Sequence, residues 1–136
     1  MSPRRCPGWL RRHDQRGAAV VDFVLVVVVV VPLVLGLLQL GLVLHVRNTL
    51  TAAASEGARY GATVDRSPGA GAERTRSQIR NALAGRFARQ VSARPVTIDG
   101  VPGIEVRVRA EVPPLGLWGP AVRLELSGHA VEEVAP

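Results

Sequence analysis

Cysteine is nearly absent from this sequence of 136 residues, in which Cys6 is the only one. Everything after residue 6 therefore lacks the thiols for a disulfide, a thiolate zinc site or a cysteine nucleophile. The three histidines, His13, His45 and His129, are scattered and have no second histidine or cysteine at ligand spacing. We accordingly expect no metal site and no cofactor.

Aromatic residues are also few, and the basic residues are all arginine. Residues 1–16 hold five arginines and one acid, whereas the other 120 residues hold 12 arginines and 10 acids. The net charge therefore belongs mainly to the first residues, and no basic stripe interleaved with aromatics indicates nucleic-acid binding. The sequence also offers no combination of nucleophile, base and orienting acid. We expect no catalytic residues and a protein that is not an enzyme.

The prominent feature that is present is a long apolar run. Residues 23–38 carry no polar side chain, and the run resumes after Gln39. The 24 positions from 23 to 46 make about 36 Å of helix, enough to cross a hydrocarbon layer of ~30 Å. The pattern predicts a transmembrane helix over residues 18–46. A cleaved secretory signal is the alternative, but its apolar region is usually about 7–15 residues long and ends in a small-x-small site. This longer run ends at Arg47 instead.

Arginine is distributed unevenly around the run. Five arginines precede it, and three follow within about 20 residues. The positive-inside rule therefore places the N-terminus in the cytoplasm. We expect a single-pass protein of the cell (inner) membrane, with a basic leader at residues 1–17, the span at residues 18–46 and an extracytoplasmic domain at residues 47–136.

Beyond the span, residues 48–61 are rich in alanine and lack proline, which predicts that the helix continues outward. Small and apolar residues recur at spacings of three and four along one narrow face, which suits close helix packing. They are Leu50, Ala53, Ala54, Gly57 and Tyr60. Residues 65–72 contain proline and glycine, sustain no period and predict a loop.

A second helix and a small sheet are predicted after this loop. Apolar residues at steps of four predict a helix over residues 73–91, with one buried side. That side would carry Ile79, Leu83, Phe87 and Val91. From residue 94 the period is two, which predicts three antiparallel strands, with a turn at Asp99-Gly100 and a longer connection over residues 113–120. The strands would hold Val96 and Ile98; Ile104, Val106, Val108, Ala110 and Val112; and Val122, Leu124 and Leu126. The fold class is α+β, with a long N-terminal helix, a packed helix and a three-stranded sheet.

The start of the apolar run carries a processing pattern. Arg16-Gly17 is followed, five residues after the glycine, by the carboxylate of Asp22. This is the arrangement of a class III signal, which is cut after the glycine on the cytoplasmic side. An ionised carboxylate deep in a bilayer costs about 2.5–3.5 kcal/mol, so Asp22 needs a partner or a shallow position.

Residues 16–60 resemble the TadE family of pilin-like proteins from the tight-adherence (Flp) pilus system. The resemblance rests on Arg16-Gly17, Val21-Asp22-Phe23, Gly36, Gly41, Arg47, Leu50, Ala53-Ala54 and Glu56-Gly57-Ala58-Arg59-Tyr60. The chain departs from the family where Asp22 stands in place of the usual glutamate, and where Gln39 stands in place of a frequent second glutamate.

The resemblance implies a pseudopilin, a non-enzymatic minor or assembly component of a Flp (Tad) pilus or related secretion apparatus that serves adhesion or secretion at the cell surface. Cleavage by a prepilin peptidase after Gly17 would expose the amine of Ala18, able to pair with Asp22 of a neighbouring copy. Other pilin-like subunits and inner-membrane pilus assembly proteins are the implied partners. The implied subunit contacts are Asp22, Ala53, Ala54 and Gly57.

Two simpler interpretations stay open at the level of sequence. Asp22 also fits a position at headgroup depth near Arg16, where water stabilises its charge. The whole chain also fits a membrane-anchored module that binds a ligand at the cell surface, with the span as a permanent anchor and no part in a pilus.

Overall fold

The structure is a computed structural model that describes residues 14–115 and 119–133, with side chains from residue 17 onward. Residues 1–13 of the expected leader lie outside these ranges. The elements are helix α1 (Asp14–Ala62), helix α2 (Pro68–Ala82), a 3-10 turn (Gly85–Ala88) and strands β1 (Gln90–Ile98), β2 (Val101–Val112) and β3 (Val122–Val131). The strands form one antiparallel sheet in the order β1-β2-β3, which confirms the α+β class. The chain divides into two compact units, Met1–Leu38 and Gln39–Pro136.

In the first unit, α1 exposes its apolar side chains. Its most apolar window of 18 residues has a mean hydropathy of 3.0, and none of that window is buried. Among the described residues, α1 is the one helix that is long and apolar enough to cross a membrane. Pro32 lies inside the helix without ending it, as membrane helices tolerate. Residues 18–38 alone make roughly 31 Å of helix, about the thickness of the hydrocarbon layer.

In the second unit, the sheet lies along α1 from Gln39 to Ala62. The Gln39 side chain bonds to the backbone just after β2. The α1 backbone at Ala54 lies against Gly128 of β3. Farther along, the carbonyl of Ala62 accepts a hydrogen bond from the amide of Glu133 at 3.0 Å. Strand β3 therefore runs in the same direction as this part of α1.

The second compact unit begins at Gln39, whereas the predicted extracytoplasmic domain begins at residue 47. Val46 is 1% exposed, and Leu42 and Val43 pack against the core. Hydropathy alone does not separate the two settings, because a side chain that faces a protein core is as apolar as one that faces lipid.

Helix α2 has different bounds from the predicted helix over residues 73–91. It begins inside the predicted loop, where Ser67 caps it by accepting a hydrogen bond from the Ala70 amide at 3.2 Å and Pro68 occupies its first turn. It ends at Ala82, because Leu83 adopts an extended backbone. Phe87 then lies in the 3-10 turn and Val91 in β1, and both are still buried in the core. The spacing of four therefore predicted residues that pack in or against the core, but it was wrong in placing all of them on one helix.

The sheet keeps the predicted hairpin and most of the predicted faces. Asp99 and Gly100 form its two-residue turn with φ of 50° and 85°, as hairpin turns of this length require. Ile104, Val106, Val108 and Val112 of β2 are buried.

The buried face of β1 is not the face that carries the predicted Val96 and Ile98. Val91 and Ala93 lie opposite Val108 and Val106 and share their buried face. Val96 and Ile98 lie opposite Gly103 and Val101 on the other face. Alternation over a few residues predicts a strand but fits either face, because a shift of one residue exchanges the two.

Candidate functional site

The residues of the processing pattern lie in the first turns of α1. Gly17, Ala18 and Asp22 are helical and exposed. Ala18 and Asp22 are four residues apart, so they lie on the same face of the helix. A Cβ added at Gly17 would meet no atom within 4 Å. Both the expected scissile position and the carboxylate are therefore accessible on the described part of the helix.

The three small residues that we expected at subunit contacts are buried inside the domain of the single chain. Ala53 is 5% exposed, and Ala54 is fully buried. The hydroxyl of Thr75 on α2 lies 3.2 Å from the carbonyl oxygen of Ala53 and 3.0 Å from that of Gly71, within reach to donate to either. A Cβ at Gly57 would overlap the Thr75 hydroxyl and come within 2.7 Å of the Gly71 oxygen.

These contacts give Ala53, Ala54 and Gly57 partners within the chain, and their part in contacts between subunits stays a prediction. The sequence predicted close packing along this face, because small side chains let two backbones approach closely. It does not identify the partner, which here is α2 and β3 of the same chain. Asp22 is the one residue of the expected contact set that remains exposed.

Gln39 has a structural function that the sequence analysis missed. Its side-chain Nε2 donates to the carbonyl of Pro113 at 3.3 Å, and its Oε1 accepts from the amide of Leu115 at 2.8 Å. The side-chain amide thus pairs with backbone groups that no β-ladder satisfies. The partners are 74 and 76 residues away in sequence, so no local pattern could have found them. Gln39 ties the β2–β3 connection to the first residue of the domain.

An open groove of about 920 Å³ lies near the same end of the sheet. Its lining includes Arg86, Arg89, Arg109 and Arg123, with Glu111 and Glu125. We call it the arginine groove. Among the described side chains, Arg109 pairs with Glu125 at 3.2 Å, whereas Arg86, Arg89 and Arg123 form no ion pair. The even charge balance of the sequence beyond residue 16 concealed this cluster, because only the fold brings residues 86 to 123 together.

The outer face of the sheet carries a charge network around Glu105, which is 5% exposed. Its carboxylate accepts hydrogen bonds from Arg94 and from Arg107, the latter at 3.1 Å, and His129 Nε2 lies 3.3 Å away. The hydrogen bond from Arg94 is the largest cause that holds the pKa of Glu105 below its ordinary value of 4.5. Burial opposes this shift, and Arg107 adds to it. The oxygens of Glu105 are thus occupied within the domain, as in a structural ion network.

Within residues 14–115 and 119–133, no three His, Cys, Asp or Glu side chains come together as metal ligands would.

The comparisons with known proteins concern α1. Neither the curated proteins nor the solved structures include a match to the chain. A family comparison does find one, over the segment that contains Gly17, Asp22 and the small residues of α1. Residues 17–59 match the model of the TadE-like protein family, the same family that the sequence resembles.

Proposed function

We propose that this chain is a TadE-like pseudopilin, a non-enzymatic minor or assembly component of a Flp (Tad) pilus or a related secretion apparatus. The family match associates the chain with the Tad pilus system through its N-terminal apolar helix. The observation that carries the proposal is that this match begins at Gly17 and covers the exposed apolar run that follows Asp22. Other pilin-like subunits, a prepilin peptidase and inner-membrane pilus assembly proteins are its partners.

The proposed topology follows from charge. The leader stays in the cytoplasm because its arginines outnumber those that follow the span, and residues 18–38 cross the inner membrane. The domain from Gln39 onward is then extracytoplasmic. Exposed valine and leucine side chains along residues 18–38 are the surface that lipid, and later neighbouring subunits, would cover.

The proposed processing step is hydrolysis of the peptide bond between Gly17 and Ala18. Water adds across the bond, leaving a carboxylate on Gly17 and an amine on Ala18. Glycine favours the extended backbone that a peptidase needs, because it destabilises a helix by roughly 1 kcal/mol relative to alanine. The new amine is a cation, and pairing it with Asp22 of a neighbouring copy would offset the cost of a carboxylate in a low dielectric.

Intact-mass measurement of the membrane-extracted protein tests this step. In cells with an active prepilin peptidase we expect the mass of a chain that has lost Gly17 and everything before it and begins at Ala18. Gly17→Leu should retain the leader, because a bulky side chain blocks entry of the backbone into the peptidase. Gly36→Leu is the matched control, since a Cβ at either glycine meets no atom within 4 Å. That control should be cut normally.

Asp22 is proposed to act after cleavage. Asp22→Ala should still give the shortened chain but weaker cross-linking to partner subunits, whereas Asp22→Glu should preserve the cross-linking. Wild-type protein that keeps residues 1–17 beside an active peptidase would refute processing. It would favour instead the permanent membrane anchor with a surface-binding domain.

A further inference from the structure

The connection from β2 to β3 is tied to the first residue after the membrane span of the proposed topology. Gln39 follows directly on the exposed apolar run, and its side chain holds the backbone at Pro113 and Leu115. These contacts tie the β2–β3 connection to the residue that directly follows the proposed span. Leu115 itself is 51% exposed.

The arginine groove lies near the strand ends that this connection joins. Arg123 is the second residue of β3, and Arg109 is three residues from the end of β2. At ~3.3 Å per residue both lie within about 10 Å of the strand ends. The headgroup layer of a bilayer is roughly 5–7 Å thick on each side, and arginine side chains extend far enough to reach its phosphates.

Charge differs between the two ends of the domain. The groove contributes four arginines and two glutamates. The end near Ala62, where Glu133 bonds to α1 and the β1–β2 turn lies beside residue 132, has the opposite balance. Its charged residues are Asp65, Asp99, Glu132 and Glu133, with Arg59 and Arg66. An anionic surface would therefore attract the groove end and repel the other.

We propose that the arginine groove is a binding surface for the phosphate groups of anionic phospholipids in the membrane that anchors α1. Guanidinium groups donate paired hydrogen bonds to phosphate oxygens. Arg86, Arg89 and Arg123 have no ion-pair partner among the described side chains and are the donors for this contact. Bound headgroups would fix the tilt of the domain on the bilayer. This inference rests on the membrane anchoring in the proposed function.

The experiment uses the full chain in nanodiscs, with an environment-sensitive fluorophore at a single cysteine. In a Cys6→Ser background, Leu115→Cys reports on the groove end, and Thr97→Cys reports on the opposite end of the sheet. Emission is compared between discs of phosphatidylcholine alone and discs that also contain phosphatidylglycerol. We expect the label at position 115 to shift to shorter wavelength in the anionic discs, and the label at position 97 to show no difference. Concentrated salt should reverse the shift by screening.

Charge variants identify the groove as the cause. Each arginine removed near an anionic surface should weaken docking about fivefold at physiological salt. Arg89→Gln combined with Arg123→Gln should therefore lower the affinity of the domain for the anionic surface about 25-fold. The emission shift at position 115 should then disappear. Arg59→Gln combined with Arg66→Gln removes the same charge from the opposite end and should leave the shift unchanged.

Several outcomes would overturn the proposal. Equal emission in the two lipids would do so, as would an unchanged shift in the folded Arg89 and Arg123 variant. A shift produced in neutral discs by inorganic phosphate would assign the groove to free anions, and one produced by an acidic peptide would assign it to a protein partner. If the double variant does not fold, the salt dependence of the emission shift in the chain with native arginines tests the proposal, and a shift that concentrated salt does not reverse would overturn it. Retention in neutral discs tests anchoring separately, and its loss would refute both proposals.

Discussion

The two parts of α1 differ in what their side chains contact. Up to Leu38 the helix carries large valine and leucine side chains that are exposed, whereas beyond residue 50 it carries alanine and glycine that are buried. Helix propensity does not explain this order, because valine forms helices less readily than alanine and yet fills the first part. The first part exposes a large apolar surface, and fluid lipid can cover such a surface whatever its shape. The second part carries small side chains that let other elements of the domain pack closely against the helix, as a folded core requires.

Glycine illustrates the same difference. A Cβ at Gly36 or Gly41 would meet nothing within 4 Å, whereas one at Gly128 would lie 2.4 Å from the α1 backbone at Ala54. The residue type is the same in both parts, but only in the domain does the absence of a side chain permit a contact. Substitutions matched between the two parts should therefore differ sharply in effect, and they test this comparison directly.

The largest difference is expected between the two phenylalanines. Phe87 is 5% exposed and Phe23 is 69% exposed. Phe87→Ala should lower the free energy of unfolding of the domain by about 3–5 kcal/mol, because it leaves a cavity in the core. Phe23→Ala should change it by less than about 0.5 kcal/mol. Denaturant unfolding of the full chain in detergent measures both, and similar values for the two variants would contradict the placement of Phe87.

The glycines give a second matched pair. Gly128→Ala should destabilise the domain by about 3 kcal/mol, because its methyl group would collide with the backbone at Ala54 and force β3 away from α1. Gly36→Ala should have no such cost and should slightly favour the helix. Thermal unfolding followed by circular dichroism would distinguish them. A fully stable Gly128→Ala chain would mean that β3 and α1 are farther apart than the structure has them.

A third test concerns the first residue of the domain. Gln39→Leu suits the apolar run but removes both bonds to the β2–β3 connection, so it should cost about 1 kcal/mol and speed amide exchange at Leu115. Gln39→Glu is the graded control, because it keeps the acceptor for that amide. Hydrogen exchange measures the effect. Unchanged protection at residue 115 in Gln39→Leu would show that the connection is held by other contacts.

The smallest expected effect is the pH dependence that comes from Glu105. Its pKa in the folded protein lies below the ordinary value of 4.5, so its ion network contributes stability fully above that pH and loses it as the pH falls through the lower folded pKa. Glu105→Gln should therefore flatten the loss of thermal stability in the acid range. The pKa of Glu73 is also lowered, mainly by the hydrogen bond from Arg80. Glu73 is present in both chains, so its contribution to the pH dependence cancels in the comparison. Parallel acid profiles for the two chains would contradict this account.

The sequence by itself determined the features that depend on local pattern. A sustained apolar run predicted the exposed helix, and alternation predicted the buried face of β2. Asp99-Gly100 predicted the hairpin turn, because its two positive φ angles favour these residues. The motif around Gly17 and Asp22 indicated the TadE-like family, which the match over residues 17–59 bears out.

Only the tertiary structure decided which surfaces meet. It placed Gln39 against residues more than 70 positions away, turned the small face of α1 toward Thr75 and Gly128, and gathered the arginines of the groove from the 3-10 turn and two strands. The physical reason is common to all three cases. Local sequence fixes the period and the size of side chains on a face, but a partner is fixed by contacts between distant segments that form together when the chain packs.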